Sequence, residues 1–222
     1  MRFVPALLAS CFCVAPLSAR AIVTSGFDND NGGWTGVTAD IATSGVPVQT
    51  TPALTFHTAG GHPGGFVSMT DPDVFDMFFR APASFLGNQS NALGGTLNFD
   101  TITDLSLDYN GADVVIKGNG TVLVYDIAPT TGNQWSTISV SLAPSPNWRL
   151  NTLGGPAASV ADFQNALSNV SELWITAEYH AGVAETTGLD NVTLTSVPEP
   201  ATLAPALWCI GAALTSRRRV CS

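Results

Sequence analysis

The feature that most constrains the fold is a series of short runs rich in β-branched and aromatic residues, bounded by Gly, Asn, Pro or Asp. Short alternating runs between turn residues are typical of β-strands. We predict strands at Ala53–His57, Gly65–Met69, Gly95–Phe99, Leu105–Tyr109, Asp113–Lys117, Thr121–Asp126, Trp135–Leu142, Glu172–Tyr179 and Gly188–Thr195. Many short strands with turns between them predict an all-β sandwich or jelly roll.

One segment departs from this β pattern. Ser159 can cap the N-terminus of a helix over Ser159–Ser168. Val160, Phe163 and Leu167 then fall on one helical face. We therefore predict a single short helix that packs on the sandwich.

The N-terminus has a layout that is unusual for a strand. Arg2 precedes the apolar stretch Phe3–Leu17, and Ala19 and Ala21 frame a cleavage signal of small residues. A basic start, an apolar centre and an A-x-A site are typical of a secretory signal peptide. We predict that residues 1–21 form a signal helix, recognised by the export machinery and removed after Ala21.

The cysteines lie only in the terminal segments, at Cys11, Cys13, Cys209 and Cys221. The body therefore has no disulfide framework and must be stabilised by an ordinary hydrophobic core. The run Leu8–Cys11 resembles a lipoprotein cleavage box, which offers an alternative in which Cys11 is lipidated. The apolar run before it is shorter than the ~7–15 residues of an export signal, which favours the ordinary signal peptide.

The C-terminal segment combines a proline-rich motif, an apolar stretch and an arginine cluster. The motif consists of Val197, Pro198, Glu199 and Pro200, and the cluster consists of Arg217, Arg218 and Arg219. Between them Ala201–Ser216 is apolar or small. This predicts a C-terminal apolar helix shorter than the ~20 residues that span a bilayer comfortably. Because arginine-rich flanks stay cytoplasmic, this orientation leaves the body outside.

In this order the three parts resemble the PEP-CTERM sorting signal of Gram-negative bacteria, which we assign to residues 197–222. The resemblance implies transient membrane anchoring by the tail and cleavage by an exosortase. It also implies a final location on the cell surface or outside the cell, in bacteria that typically make extracellular polysaccharide and biofilm. A plain C-terminal membrane anchor is the alternative.

Basic residues are scarce in the body. The chain has a formal net charge of −9, and between residues 22 and 196 its only bases are Arg80, Lys117 and Arg149. Because contacts of Lys and Arg with phosphates dominate nucleic-acid affinity, we predict no nucleic-acid partner. A cation or a neutral glycan, such as an extracellular polysaccharide, is a more natural partner.

An ordered series of motifs runs through residues 22–196. The series comprises Gly26–Asp30 with Trp34, Phe78–Pro82, Phe85–Asn88, Leu93–Leu97, Asp113–Gly118, Trp148 and Gly188–Val192. In this order the motifs resemble the laminin B (laminin type IV) domain, a jelly roll related in shape to carbohydrate-binding modules. The resemblance implies an extracellular adhesive or matrix module without known catalytic residues.

The first motif of this series is rich in hard oxygen ligands. Asp28–Asn31 precedes Trp34, but the loop lacks the closing Glu of an EF-hand. In jelly-roll binding modules an early loop of this kind and a late Leu-Asp-Asn-Val strand often share a structural Ca²⁺. The resemblance therefore implies Asp28 and Asp190 as Ca²⁺ ligands, with backbone carbonyls completing the shell. An Asx-rich turn and an ordinary strand end are the alternative.

Tryptophan rings offer flat faces that suit sugar rings, and the candidates are Trp34, Trp135, Trp148 and Trp174. Trp34 and Trp148 flank turns, where a ring can reach solvent, so we predict these two as ligand-binding residues. Trp174 alternates with apolar neighbours in a predicted strand, which places at least one of those side chains in the core. Core burial is the alternative for every one of them.

No common catalytic motif occurs, whether a Gly-x-Ser-x-Gly elbow, His-Glu-x-x-His or a phosphate-binding loop. Other candidates for metal binding or paired-carboxylate hydrolysis are His57, His62, His180, Asp71, Asp73 and Asp76. The histidine spacing matches no short metal motif, and Asp-Pro-Asp favours a solvated turn. We predict a non-catalytic adhesive or glycan-binding module. The alternatives are a secreted hydrolase acting on matrix polysaccharide and a purely structural biofilm component.

Overall fold

Short antiparallel strands make up most of the described chain. The structure is a computed structural model and describes residues 20–104, 111–127, 132–180 and 182–197. The strands are β1 (Arg20–Ser25), β2 (Thr35–Ala39), β3 (Val48–Thr50), β4 (Thr55–Gly61), β5 (Gly64–Thr70), β6 (Asp76–Arg80), β7 (Thr96–Thr103), β8 (Val114–Gly118), β9 (Thr121–Tyr125), β10 (Ser136–Ser141), β11 (Trp148–Leu150), β12 (Val170–Thr176) and β13 (Thr186–Ser196). The helix α1 spans Val160–Ser168, and short 3₁₀ turns lie at Ala83–Phe85 and Ser90–Ala92.

The strands form two antiparallel sheets. Sheet A has the order β10-β7-β13-β5-β4, and sheet B has the order β11-β9-β8-β12-β6-β2-β3. The long strand β13 pairs with β7 on one side and, on the other, with β5 and then β1. The pairing of β13 with β7 shifts register between Asp190 and Thr193, which marks a bulge. The first and last strands of the described domain, β1 and β13, are therefore neighbours in one sheet.

The inner faces of the two sheets meet in one hydrophobic core. Strand alternation directs Val67 and Leu97 of sheet A inward, opposite Phe79, Leu123 and Ile175 of sheet B. Each of these side chains is fully buried. Burying such a side chain contributes about 1.5–3 kcal/mol, so a core of this size can stabilise the body without disulfides.

Helix α1 begins at a capping box. The Ser159 hydroxyl accepts the backbone N–H of Asp162 at 3.3 Å, and the Asp162 carboxylate accepts the backbone N–H of Ser159 at 2.8 Å. Phe163 and Leu167 are buried, as predicted. Val160 is 51% exposed, so its predicted place on the buried face is wrong. Val160 lies in the first turn of α1, outside the surface by which the helix packs on the sandwich.

The predicted all-β sandwich with one short helix is confirmed. Strands β1, β2, β3, β6 and β11 were not predicted. The start of β1 falls in the segment assigned to the signal peptide, and β3 and β11 have only three residues each. The predicted strand Leu105–Tyr109 and the predicted C-terminal helix lie outside the described residues. So does the predicted signal helix, except for its last two residues, Arg20 and Ala21, which belong to β1. Within the described ranges, no helix is long and apolar enough to cross a bilayer.

Candidate functional site

Trp34, one of the two predicted ligand-binding tryptophans, lies in the core, so that prediction is wrong. Its side chain is 0% exposed. Its ring meets Phe27 and Phe85 edge to face, at centroid distances of 6.1 and 5.4 Å. Its indole N–H donates to Ser25 Oγ at 3.0 Å. Although a turn precedes Trp34, the side chain points between the sheets and presents no face to solvent.

Trp148 is the second correction, for the same reason. It is also 0% exposed, and its indole N–H donates to the carbonyl of Ser141 at 2.8 Å. The ring packs against Tyr125 at 4.9 Å and Phe163 of α1 at 5.2 Å. Trp148 therefore joins α1 to sheet B and cannot stack on a glycan.

Nor do the described residues present a free tryptophan face on the outer side of sheet B. Trp174 is 0% exposed and forms a second hydrophobic cluster with Val46 and Phe78. The Lys117 ammonium lies 4.1 Å from the centroid of the Trp174 ring and donates to the Val46 carbonyl at 2.5 Å. Burial lowers the pKa of Lys117, while the charge of Glu172 opposes that effect. The loop that carries Val46 thus closes this face.

The outer face of sheet A carries a groove of about 400 Å³, which we call the sheet A groove. It crosses the sheet from β4 to the turn before β10. Its lining residues are His57, Phe66, Ser68, Ile102, Thr103, Asp104, Asn133, Thr186 and Gly188. Aromatic and aliphatic side chains therefore form its walls, while hydroxyl, amide and carboxylate groups are distributed among them.

Two aromatic rings, those of His57 and Phe66, line the sheet A groove, and a third, that of Trp135, adjoins Phe66 next to the lining. His57 and Phe66 are paired across β4 and β5, and their rings stack at 4.2 Å with an interplanar angle of 9°. Trp135 meets Phe66 nearly at a right angle, with centroids 5.4 Å apart. Both Phe66 and Trp135 are half-buried, so part of each ring faces solvent.

The rings are held in place by their neighbours. The Trp135 indole N–H donates to the Gly60 carbonyl at 3.1 Å, and the ring of His62 lies parallel to it at 6.3 Å. Gly188 forms the floor below Phe66. A Cβ atom at Gly188 would come within 3.0 Å of the Phe66 ring and 2.8 Å of Ile102 Cγ2, so glycine allows this close approach.

Polar groups complete the sheet A groove. The Asp104 carboxylate accepts the backbone N–H of Thr186 at 3.0 Å, and His57 Nε2 lies 2.8 Å from Ser68 Oγ. Asn133 adopts a left-handed backbone (φ 60°), and its backbone N–H donates to the Thr103 carbonyl at 2.7 Å. These hydrogen bonds hold Asp104, His57 and Asn133 in place at the groove.

The structure brings Asp28 and Asp190, the predicted Ca²⁺ ligands, to the same β4–β5 turn. Added Cβ atoms at Gly64 and Gly61 would meet the Asp28 and Asp190 carboxylates, each at 2.7 Å. Asp190 is fully buried, and its oxygens accept the backbone N–H groups of His62 at 2.6 Å and Asn191 at 2.7 Å.

Burial raises the pKa of Asp190, and the charges of Asp100 and Asp28 add to the rise. The hydrogen bonds from the backbone N–H groups of His62 and Asn191 lower the pKa and so oppose it. Asp28 also lines a polar cleft of about 340 Å³, with Asn29 and Asp30. Among the described residues, no three His, Cys, Asp or Glu side chains are grouped as a metal site.

A second group of carboxylates lies where β12 ends and β13 begins. Glu178 is 7% exposed, and its Oε2 has no hydrogen-bond partner. Burial raises the pKa of Glu178 to about 8, and the charges of Asp71, Glu185 and Asp76 add to the rise, opposed by the N–H of Met77. This carboxyl group is therefore poorly suited to being ionised.

The other predicted Asp and His candidates take part in local turns and pairs. Asp71 and Asp73 accept backbone N–H groups two residues ahead, at 3.1 and 2.9 Å, as in the predicted turn. The exposed His62 lies 3.2 Å from the Asp100 carboxylate, on the outer face of sheet A. The backbone N–H of His180 donates to Glu185 at 2.9 Å.

The comparisons with known proteins identify the family. The profile of the family Laminin B (Domain IV) matches residues 78–209. The chain belongs to the Laminin B (domain IV) family. Laminin subunit gamma-1 of Danio rerio is 34% identical over 195 residues, and laminin subunit gamma-2 of Homo sapiens is 31% identical over 207 residues. The matches cover 84% and 90% of this chain but only 11% and 16% of those proteins.

Solved structures agree with the Laminin B fold. The L4b domain of human laminin alpha-2 matches with a TM-score of 0.61 at 14% identity, covering 81% of this chain and all (100%) of that domain. A family 11 carbohydrate-binding module of the cellulase Lic26A-Cel5E of Clostridium thermocellum matches with a TM-score of 0.50 at 15% identity. The match covers 84% of this chain and 99% of that module. At these identities the likeness concerns the fold, which confirms the predicted jelly-roll architecture.

The processing residues are only partly within the described Laminin B domain. Arg20 and Ala21 pair with Ser196 and Thr195, so β1 begins before the predicted cleavage point. Val197 is 46% exposed at the end of the domain. Ala19, Pro198, Glu199, Pro200, Arg217, Arg218 and Arg219 lie outside the described residues. Cleavage after Ala21 and recognition of the tail stay predictions.

Proposed function

We propose that this chain is an exported, non-catalytic adhesive module that is held in extracellular polysaccharide. The observation that carries the proposal is membership of the Laminin B family, together with the similarity to laminin subunits gamma-1 and gamma-2. The acidic body, with a formal net charge of −9 for the chain, favours a neutral polymer over a polyanion as partner.

The chemistry of the sheet A groove supports binding rather than hydrolysis. Of the described residues that line it, Asp104 alone carries a carboxylate. Most glycoside hydrolases use two carboxyl groups about 5–9.5 Å apart across the scissile bond. The groove therefore fits a protein that holds a glycan without cleaving it.

We propose the tail as the route by which this module reaches its place. The Val-Pro-Glu-Pro motif, apolar stretch and arginine cluster of residues 197–222 would anchor the chain transiently, until an exosortase removes them. The signal peptide of residues 1–21 would bring the chain to the export machinery. The processed protein is then found on the surface of a Gram-negative cell or in its extracellular matrix.

The test compares the full chain with a variant that lacks residues 197–222 in a Gram-negative host carrying an exosortase. We expect the full chain in the surface and matrix fractions, shortened by the tail, and the variant in the periplasm. The same distribution for both would overturn the sorting proposal. The processed protein is then applied to isolated matrix polysaccharide, where a failure to be retained would overturn the adhesive proposal.

We also propose that one structural Ca²⁺ joins the early loop to β13 through Asp28 and Asp190. The burial of the Asp190 carboxyl group beside Asp28 and Asp100, which raises its pKa, supports a cation at this turn, because a bound cation would compensate for the clustered carboxylates. At Ca²⁺ about 100-fold above Kd, we expect a Tm about 5 °C or more above that in EGTA.

The calcium prediction has a matched control. Asp190→Asn should abolish the response of Tm to Ca²⁺, because the buried charge that attracts the cation is removed. Asp40→Asn, in the turn after β2, should keep the full response. An identical Tm in Ca²⁺ and EGTA for the unmodified protein would rule out the site.

A further inference from the structure

We infer that the sheet A groove binds a neutral pyranose chain, with Phe66 and Trp135 as the stacking residues. The inference rests on the proposed function, because it gives the adhesive module its ligand class and its binding site. No sequence motif assigns this groove, and neither predicted ligand-binding tryptophan lies in it.

The size and position of the sheet A groove suit a segment of a polymer. A volume of about 400 Å³ lies at the lower end of the ~300–1,000 Å³ range of small-molecule sites. The lining residues come from β4, β5, β13 and β7 and from the turn before β10, so the groove runs across the sheet. A chain of sugar rings can therefore cross the face while one ring occupies the groove.

The aromatic geometry provides a corner for a sugar ring. The Phe66 and Trp135 rings stand at 85° to one another with centroids 5.4 Å apart. The apolar C–H face of a pyranose can lie on one ring while its edge touches the other. Its hydroxyl groups then point to the polar rim, where Asp104, Asn133 and Thr186 lie. Apolar walls with a few directed polar groups are the general pattern of ligand sites.

Charge selects a neutral sugar. Among the described residues that line the sheet A groove there is no Lys or Arg, and the carboxylate of Asp104 makes the lining acidic. Of the bases among the described residues, Arg80, Lys117 and Arg149 lie on strands of sheet B. The fourth, Arg20, lies on β1 of sheet A and pairs with Ser196, at the opposite end of β13 from the groove residues Thr186 and Gly188. An anionic glycan would thus meet a carboxylate and no compensating cation.

The groove is also organised before binding. Trp135 is fixed by its hydrogen bond to Gly60, and Phe66 is held between the stacked His57 ring and the Gly188 floor. Side chains already ordered in the free protein lose little conformational entropy on binding, which favours affinity.

The experiment uses the processed protein with cellohexaose, laminarihexaose and maltohexaose as neutral probes and oligoguluronate as the anionic probe. Titration calorimetry measures affinity, and NMR follows the indole N–H resonance of Trp135. We expect at least one neutral hexasaccharide to bind and to shift that resonance. Trp135→Ala and Phe66→Ala should each weaken binding about tenfold or more, because central aromatic contacts dominate such interfaces.

Two further variants make the result specific. Trp135→Phe keeps an aromatic face and should restore part of the affinity lost in Trp135→Ala. Phe75→Ala removes a half-buried phenyl ring of the β5–β6 loop, outside the groove, and should bind like the unmodified protein. Thermal unfolding of each variant establishes that the domain is folded before its affinity is compared.

The inference is overturned if no neutral probe binds, if only oligoguluronate binds, or if both alanine variants bind with unchanged affinity. These outcomes are separable from failure of the proposed function. If matrix polysaccharide retains the unmodified protein and the Trp135→Ala and Phe66→Ala variants equally, the adhesive function stands and the groove is not its site. If the polysaccharide does not retain the unmodified protein, the proposed function itself fails.

Discussion

Trp148→Ala is expected to lower the free energy of unfolding by about 3–5 kcal/mol, the usual cost of truncating a fully buried tryptophan. The ring is 0% exposed and fills the space between Tyr125 and Phe163. Its removal leaves a cavity where α1 meets sheet B and deprives the Ser141 carbonyl of its donor. Denaturant unfolding followed by circular dichroism measures the loss.

A matched change at the surface gives the contrast for Trp148. Trp135→Ala deletes the same side chain from a half-buried position on the outer face of sheet A, so we expect a much smaller loss of stability. The two substitutions should therefore separate stability from binding, with Trp148→Ala affecting the first and Trp135→Ala the second. A loss below about 1 kcal/mol for Trp148→Ala would contradict the burial of this ring.

Glu178→Gln is expected to stabilise the protein at pH 7–8 by about 1–3 kcal/mol. Burial and the charges of Asp71, Glu185 and Asp76 raise the pKa of Glu178 to about 8 in the folded protein, against an ordinary value of 4.5. The folded state therefore prefers the protonated acid. The stabilising effect of the protonated Glu178 is complete below the pKa that this group has in the unfolded chain. It is lost as the pH rises through the folded-state pKa of about 8. The amide imitates the protonated acid at every pH.

Thermal unfolding between pH 5.5 and 8.5 tests this expectation. The Tm of the unmodified protein should fall as the pH rises, and Glu178→Gln should reduce that fall. Glu185→Gln is the control, because the Glu185 oxygens already accept the Thr103 hydroxyl and the N–H groups of Tyr179 and His180. An amide nitrogen there would face a donor and destabilise the fold. A steeper pH dependence in Glu178→Gln than in the unmodified protein would refute the assignment.

The fold was largely predictable because its information is local. Alternation of apolar and polar residues predicted the central strands, and Ser159 as an N-cap predicted the start of α1. The turn at Asn119 and Gly120 is visible as a dipeptide that favours positive φ, which both residues adopt. The short strands β3 and β11 could not be predicted, since three residues carry too little periodicity to stand out.

The candidate site was much less predictable. Trp34 and Trp148 were predicted to be exposed because they flank turns, yet both rings point between the sheets. Phe66 was missed, although its place between two inward-facing positions of β5 was a usable signal. An aromatic residue that alternates with Val67, which is buried, must face away from the core.

What the sequence by itself determined was the succession of strand-forming runs, their turns and the one helix. These follow from backbone preference and side-chain alternation, which act over a few neighbouring residues. Only the tertiary structure decided which rings meet solvent and which polar groups meet one another. Phe66 and Trp135 lie far apart in the chain and become neighbours because the strand order β10-β7-β13-β5 places β5 and the turn before β10 in one sheet, where Gly188 of β13 leaves room for the Phe66 ring. A binding groove built across a sheet depends on strand order, and strand order is a long-range property that no local pattern encodes.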